Sequence, residues 1–191
     1  GGVDTLNDIF MHMCFSKTGV LSATGDARPF SKDADGTVLG EGVGILVLKR
    51  LEDAEKNGDR IYAVIKALGT SSDGKSQSIY APSAQGQTRA LAQAYDLAGI
   101  SPYTVELIEA HGTGTAVGDE VEFTALKGFF SGTPESTSAP VPCAVGSVKS
   151  MIGHTKAAAG AAGLIKGILS LYNKVLPPTL KVKEPDPNLG I

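Results

Sequence analysis

Apolar residues recur along this chain in short runs, and glycine, proline and small polar residues separate the runs. Residues 105–110 are apolar and β-branched at their start, which predicts a buried strand. The run that begins near Val141 and ends at Val148 predicts a second strand. Residues 155–173 are rich in Ala and Gly and predict a long helix packed closely against a neighbour. Strands that alternate with helices predict an α/β fold with a mostly parallel sheet.

The earlier part of the chain shows weaker patterns of the same kind. They predict, in chain order, a short helical segment with Ile9, Phe10, Met13 and Cys14 on one face, a strand at 40–50, a helix at 51–57 ended by Gly58, a strand at 61–68, and a helix from the N-cap Ser83 to Gly99. The glycines within 40–44 precede no helix, so they indicate close strand packing rather than a phosphate loop. Residues 174–191 hold four prolines and predict an extended tail that wraps or links.

Composition narrows the class of protein. A chain of 191 residues with 42% apolar and 19% charged residues is globular, and its net charge of −3 gives no reason to expect nucleic acid or an anionic membrane as a partner. We expect no signal peptide, since the first residues show no charged segment followed by a long apolar run, and no later apolar run is long enough to span a bilayer. Cys14 and Cys143 have no CxxC spacing, which predicts packing residues in a reducing cytoplasm, and no metal-ligand spacing is visible.

A histidine follows the first predicted strand directly. His111 opens the segment His-Gly-Thr-Gly-Thr, residues 111–115, and Gly118, Asp119 and Glu120 then open a helical run. Ligands bind at the carboxyl ends of strands in open α/β sheets, so this loop is a candidate site. Two other interpretations remain open: a structural, hydrogen-bonded histidine, and a dinucleotide loop. The glycine pattern favours the latter only weakly, because no ribose-binding acid follows at the required spacing of about 20 residues.

A second loop repeats this arrangement. The strand that ends at Val148 leads into Lys149 and then His154, ahead of the long helix. If the two strands are parallel neighbours, both imidazoles lie at one edge of the sheet and converge on one cleft. The alternative puts the two histidines on opposite sides of the sheet, each satisfied by backbone groups.

The two loops together carry a family resemblance. Residues 111–115 with Gly118, Asp119 and Glu122, and then residues 146–160, closely resemble the β-ketoacyl synthases of the thiolase superfamily. Segments 28–31, 34–37 and 40–44 belong to the same pattern, which covers nearly the whole chain. Within the family the chain is most similar to the ketosynthase domains of iterative polyketide and polyunsaturated fatty acid synthases. The resemblance implies a thiolase-like layered αβαβα fold, present in part.

The resemblance also implies a reaction, a decarboxylative Claisen condensation of an acyl thioester with malonyl-carrier protein. His111 and His154 match the family's two catalytic histidines, and Lys149 matches its active-site lysine. Glu122 matches the carboxylate that pairs with this lysine, which predicts a shielded ion pair. Thr113 and Thr115 match hydroxyls that bind the phosphopantetheine arm of acyl carrier protein. No resident cofactor or metal is expected, and the complete domain is expected to be a homodimer.

The same resemblance predicts a partial domain. Residues 1–74 match the end of the first thiolase-like half, residues 75–174 match the second half, and residues 175–191 form the tail. The family's nucleophilic cysteine lies in a Cys-Ser-Ser segment that this sequence lacks, so we expect the chain alone to form no acyl-enzyme. Two alternatives are a non-catalytic partner similar to chain-length factors and a thiolase that acts on coenzyme A thioesters. The retained His111, His154 and Lys149 argue against the first, and the spacing from Ser147 to His154 argues against the second.

Overall fold

The computed structural model describes residues 1–74, 81–131 and 142–190. Its elements, in chain order, are β1 (Gly2–Asp4), α1 (Ile9–Lys17), β2 (Gly42–Gly44), α2 (Leu51–Asn57), α3 (Ala84–Ala98), a 3₁₀ turn (Pro102–Thr104), β3 (Leu107–Glu109), α4 (Ala116–Phe130), β4 (Ala144–Gly146), α5 (Lys149–Ile152), a second 3₁₀ turn (Lys156–Ala158) and α6 (Ala159–Asn173). This alternation of strands and helices is that of an α/β protein. The predicted start of the second strand, at Val141, lies outside the described residues.

Two short ladders organise these elements. Strands β3 and β4 are parallel neighbours, with Leu107 opposite Ala144 and Glu109 opposite Gly146, which confirms the predicted pairing. Strands β1 and β2 form a second, antiparallel pair that the sequence did not predict. Of the strand predicted at 40–50, only Gly42–Gly44 forms a strand. The prediction of a strand at 61–68 is wrong, since these residues form no strand in the structure. Apolar alternation gives only a preference for extended backbone, and a ladder also needs a neighbour's amides and carbonyls.

Capping residues set the helix ends largely as predicted. Ser83 accepts a hydrogen bond from the Gly86 amide at the start of α3, and Gly99 ends that helix with φ of 61°. Helix α2 ends at Gly58 in the same left-handed conformation. Helix α4 begins two residues earlier than the predicted Gly118, because the Thr115 hydroxyl caps it by accepting from the Gly118 amide.

Small residues allow α6 to lie directly on both ladders. A Cβ placed on Gly44 would approach the Ala161 Cβ to 2.9 Å, and one on Gly163 would lie 3.3 Å from the Glu109 side chain. The close packing predicted for this helix is therefore confirmed on the face that meets the strands. Its opposite face stays exposed in the described structure, as at Leu164 and Leu171.

The N-terminal helix and the tail depart from prediction in opposite ways. Helix α1 exposes its apolar residues, Phe10 by 71%, and Cys14 and Cys143 are both exposed, so the packing role predicted for the two thiols is wrong here. The tail wraps as predicted but also adds to the core, because Leu189 packs with Phe30 and Ala110. None of the described helices is both long and apolar enough to cross a membrane.

Candidate active site

Two backbone amides anchor His111 to helix α4. The loop turns at Gly112, whose φ is 45°, and a Cβ there would lie 2.6 Å from the Ser147 Cβ. Glu122 reaches back from α4: one carboxylate oxygen accepts from the His111 amide at 2.6 Å and the other from the Gly112 amide at 2.7 Å. One carboxylate thus fixes the backbone on which the His111 imidazole is mounted.

A second carboxylate of the same helix holds the rest of this loop. Asp119 is only 3% exposed, and its oxygens accept from the Phe30 amide at 2.7 Å and the Gly114 amide at 3.1 Å. Burial raises the pKa of Asp119 to about 6, although these amides oppose the shift. Asp119 therefore joins the Phe30 segment, itself at a φ of 60°, to the histidine loop.

Main-chain hydrogen bonds hold the second histidine, His154, in place. The His154 amide donates to the Val38 carbonyl at 2.6 Å, and the His154 carbonyl accepts from the Gly40 amide at 3.0 Å. The turn before it needs Gly153, whose φ is 75° and whose added Cβ would lie 2.8 Å from the Val38 oxygen. The His154 loop is thus hydrogen-bonded to the segment before β2, at Val38 and Gly40.

The two imidazoles meet at one cavity. Their ring centroids are 5.2 Å apart and the rings stand edge to face at 83°, so the predicted convergence of His111 and His154 is confirmed. Both line an open cavity of about 1630 Å³, which Thr113, Thr115 and Glu122 also line. The interpretation that places the histidines on opposite sides of the sheet is wrong.

Hydrogen bonding and local desolvation favour one protonation state for this pair, in which the His111 residue is exposed and the His154 residue is half-buried. The His154 Nδ1 accepts from the Lys156 amide at 3.0 Å, and the His111 Nδ1 lies 3.5 Å from the Lys149 ammonium, a group that can only donate. Desolvation first, and then the charge of Lys149, lowers the pKa of each imidazole to about 4. Both shifts favour the neutral imidazole near pH 7. The Lys156 amide favours the His154 tautomer with its proton on Nε2, and the nearby Lys149 ammonium favours the same tautomer at His111.

Lys149 contacts His111 rather than Glu122. Lys149 is buried, with only 3% of the residue exposed, and its ammonium donates to the His111 carbonyl at 2.5 Å. The predicted ion pair with Glu122 is wrong: the Lys149 ammonium is directed to the His111 carbonyl, and the Glu122 carboxylate is directed to the amides of residues 111 and 112. Burial lowers the pKa of Lys149, while the negative charges of Glu122, Glu109 and Asp119 oppose this shift from a distance. Lys149 also begins the one-turn helix α5 instead of lying in a loop.

The two threonine hydroxyls face each other at the cavity wall. Thr113 Oγ1 lies 2.8 Å from Thr115 Oγ1, and Thr115 also caps α4. Both residues are half-buried and line the cavity that holds the histidines. Their hydroxyls are part of the loop's own hydrogen bonding, and their role toward a substrate stays a prediction.

Sequence reasoning missed a buried ion pair behind the site. Glu109, two residues before His111, accepts from the Val148 amide at 2.6 Å and pairs with Lys166 of α6 at 2.6 Å. The two side chains are 12% and 9% exposed. A carboxylate in an apolar strand and a lysine in an apolar helix are the sequence signal that could have revealed it, since buried charges require partners. The pair ties β3, the start of α5 and α6 together.

Comparison with known proteins gives consistent matches along the chain. The family model for the β-ketoacyl synthase C-terminal domain matches residues 62–183, and that for the N-terminal domain matches residues 1–54. One component of the polyunsaturated fatty acid synthase of Thraustochytrium sp. is 48% identical over 97% of this chain and 6% of its own length. Polyketide synthase PksN of Bacillus subtilis is 46% identical over 100% of this chain and 4% of its own length.

Solved structures agree with these sequence matches. The ketosynthase from module 6 of the bacillaene synthase of Bacillus subtilis superposes with a TM-score of 0.89 and 43% identity, over 96% of this chain and 33% of that one. The ishigamide ketosynthase/chain length factor gives a TM-score of 0.88 and 34% identity, over 100% of this chain and 44% of that one. The chain thus spans less than half of each relative and has their thiolase-like α/β fold. With the family models matching both of its parts, it belongs to the β-ketoacyl synthase family.

Proposed function

We propose that this chain supplies the histidine machinery of a β-ketoacyl synthase, an acyltransferase that condenses an acyl thioester with malonyl-carrier protein. The observation that carries the proposal is the convergence of two imidazoles, His111 and His154, with ring centroids 5.2 Å apart at one cavity. Each ring keeps an Nε2–H, and neither Nε2 bonds to another described residue. Two free donors at one point suit an oxygen on which negative charge develops.

The first step that this geometry supports is decarboxylation. The bond between the malonyl carboxylate and the α-carbon breaks, carbon dioxide leaves, and the electron pair passes into the thioester as an enolate. His111 and His154 donate hydrogen bonds to the enolate oxygen as its charge develops. The buried ammonium of Lys149, which touches His111, adds positive charge behind the rings. Because the imidazoles are already neutral and oriented, no proton has to move before they donate.

Condensation follows from the enolate. Its carbon attacks the carbonyl of an acyl group held as a cysteine thioester, a new carbon–carbon bond forms, the carbon–sulfur bond breaks, and the thiolate leaves. Cys14 and Cys143 are exposed and do not line the cavity, so we assign the acyl-carrying thiol to neither. We expect the chain alone to form no acyl-enzyme.

The substrates in this proposal arrive on the phosphopantetheine arm of acyl carrier protein. Thr113 and Thr115 line the cavity beside the histidines and are proposed to bind this arm. The protein needs no resident cofactor for these steps. We further propose a homodimeric domain in the cytoplasm, with thiolase-like halves that divide after residue 74 and a tail from residue 175.

The experiment measures carbon dioxide release and β-ketoacyl product from malonyl-carrier protein, with the full-length protein. We expect His111→Ala and His154→Ala each to lower the decarboxylation rate by roughly 10²–10³-fold, because each removes one donor to the enolate oxygen. His12→Ala, in the exposed third histidine on α1, is the matched control and should leave the rate unchanged. A wild-type rate in either site variant would contradict the proposal.

The two alternatives predict different results in the same assay. A non-catalytic partner, like the chain length factor named in one matching structure, would release no carbon dioxide through these histidines. A thiolase would join or cleave coenzyme A thioesters without releasing carbon dioxide. Labelled malonyl substrate therefore separates all three functions.

A further inference from the structure

Lys156 holds a backbone conformation that lysine rarely adopts. Its φ is 46°, in the left-handed region that disfavours residues with a Cβ. It follows His154 by two residues, at the turn that leads into α6. A strained residue next to a candidate catalytic histidine needs surroundings that hold it in place.

The lysine side chain provides that hold. Its ammonium pairs with Asp4 at 3.1 Å, donates to the Gly40 carbonyl at 3.1 Å and also donates to the Asn7 side chain. The Lys156 and Asp4 side chains are only 10% and 16% exposed. Three acceptors from two distant segments thus anchor one ammonium.

The same residue contacts the imidazole through its backbone. The Lys156 amide donates to the His154 Nδ1 at 3.0 Å, which keeps the ring proton on Nε2. Gly40 closes the arrangement, since its amide donates to the His154 carbonyl and its carbonyl accepts from the Lys156 ammonium. Residues 154 and 156 are therefore fastened to the same peptide segment.

We infer that Lys156 is a positioning residue for His154, and that its ammonium clamp on Asp4, Asn7 and Gly40 keeps the Lys156 amide aimed at the imidazole Nδ1. The expected effect of Lys156 on kcat rests on the proposed function. Its expected effect on the His154 tautomer rests on the structure alone. Without the clamp the strained turn relaxes, the amide moves away from Nδ1, and the ring is free to exchange its proton between the two nitrogens.

The test combines nitrogen-15 NMR of labelled histidines with steady-state kinetics, on the full-length protein. Wild type should show His154 with unprotonated Nδ1 and protonated Nε2. In Lys156→Met the two nitrogen signals should move toward an average, and kcat for condensation should fall roughly 10- to 100-fold with KM within about twofold, because only alignment at the reacting centre is lost. Lys156→Arg keeps the positive charge and should recover most of kcat.

Lys174→Met is the matched control. Lys174 is also a lysine with positive φ, 55°, but it is exposed and forms no ion pair with any described residue. This variant should leave the tautomer and kcat unchanged. Asp4→Asn weakens the clamp without touching Lys156 and should give a smaller change of the same kind, which covers the case in which Lys156→Met does not fold.

A wild-type His154 tautomer in both Lys156→Met and Asp4→Asn would overturn the inference, as would a wild-type kcat in an active Lys156→Met protein. If the wild-type protein releases no carbon dioxide from malonyl-carrier protein, the proposed function fails instead. The NMR signals of the same variants then still decide whether Lys156 positions His154.

Discussion

His111 and His154 face one cavity, but carboxylates bind the backbone amides of one loop and a lysine ammonium anchors the other. On the His111 side, Glu122 and Asp119 accept four hydrogen bonds from backbone amides of the loop and of Phe30. On the His154 side, main-chain hydrogen bonds and the Lys156 ammonium hold the loop in place. The first loop therefore depends on carboxylates that accept from backbone amides, and the second depends on an ammonium that donates to Asp4, Asn7 and Gly40.

This difference gives the supports of the two loops different responses to pH. Burial raises the pKa of both Asp119 and Glu122, so these two carboxylates bind protons at a higher pH in the folded protein than exposed carboxylates do. Near the His154 loop, desolvation alone would raise the pKa of Asp4, but the hydrogen bond and charge of Lys156 lower it below its ordinary value. Variants in each region can therefore separate the two kinds of support.

The largest effect is expected where the two regions are joined. Lys166→Met leaves the Glu109 carboxylate buried without its ion-pair partner, and it should lower the free energy of unfolding by about 3–5 kcal/mol. Urea denaturation measures this change. The double variant Glu109→Gln with Lys166→Met removes both charges and should recover part of the loss. Equal stability of the single variant and wild type would show that the pair does not join the loops.

The next effect is a pH dependence that comes from the carboxylate support of the His111 loop. The pKa of Asp119 rises on folding from 3.8 to about 6, so its contribution to stability is fully present below about pH 4 and is lost as pH rises through 6. This shift corresponds to about 3 kcal/mol. Asp119→Asn should therefore gain stability relative to wild type between pH 4 and pH 6.5, measured by urea denaturation at each pH.

The two histidines act in the opposite direction over the same range. Their pKa falls on folding from 6.5 to about 4, so their contribution is present above 6.5 and is lost as pH falls through 4. Both proteins keep these histidines, so the difference between wild type and Asp119→Asn cancels them. A difference that stays flat with pH would contradict the buried carboxylate's role.

A smaller effect should follow from Glu122→Gln. The glutamine side chain places its NH₂ group, a donor, against the backbone amide of His111 or Gly112, which is also a donor. The free energy of unfolding should therefore fall by about 1–3 kcal/mol, and the rate of condensation by roughly 10- to 100-fold. Glu120→Gln, exposed on the same helix, is the matched control. An unchanged rate in Glu122→Gln would mean that the carboxylate does not position His111.

The sequence predicts those parts of the site that local pattern controls. Two apolar runs that each end in a histidine loop are enough to predict parallel neighbours and converging imidazoles, and cap residues such as Ser83 and Gly99 give helix ends. The predicted ion pair of Lys149 with Glu122 is absent, because opposite charge alone does not reveal that each side chain is directed to backbone groups of the His111 loop. The role of Lys156 was not predictable either, since a positive φ at a lysine is set by tertiary contacts that sequence does not display.

The central claim is that His111 and His154 form a neutral pair, each with its proton on Nε2. Titration of both imidazoles by nitrogen-15 NMR in the full-length protein tests it most directly, with assignments from the two alanine variants. We predict that both rings stay neutral at pH 7, with unprotonated Nδ1, and that each has a pKa of about 4. A ring that titrates near its ordinary value of 6.5, or that is protonated on Nδ1 at pH 7, would contradict the claim.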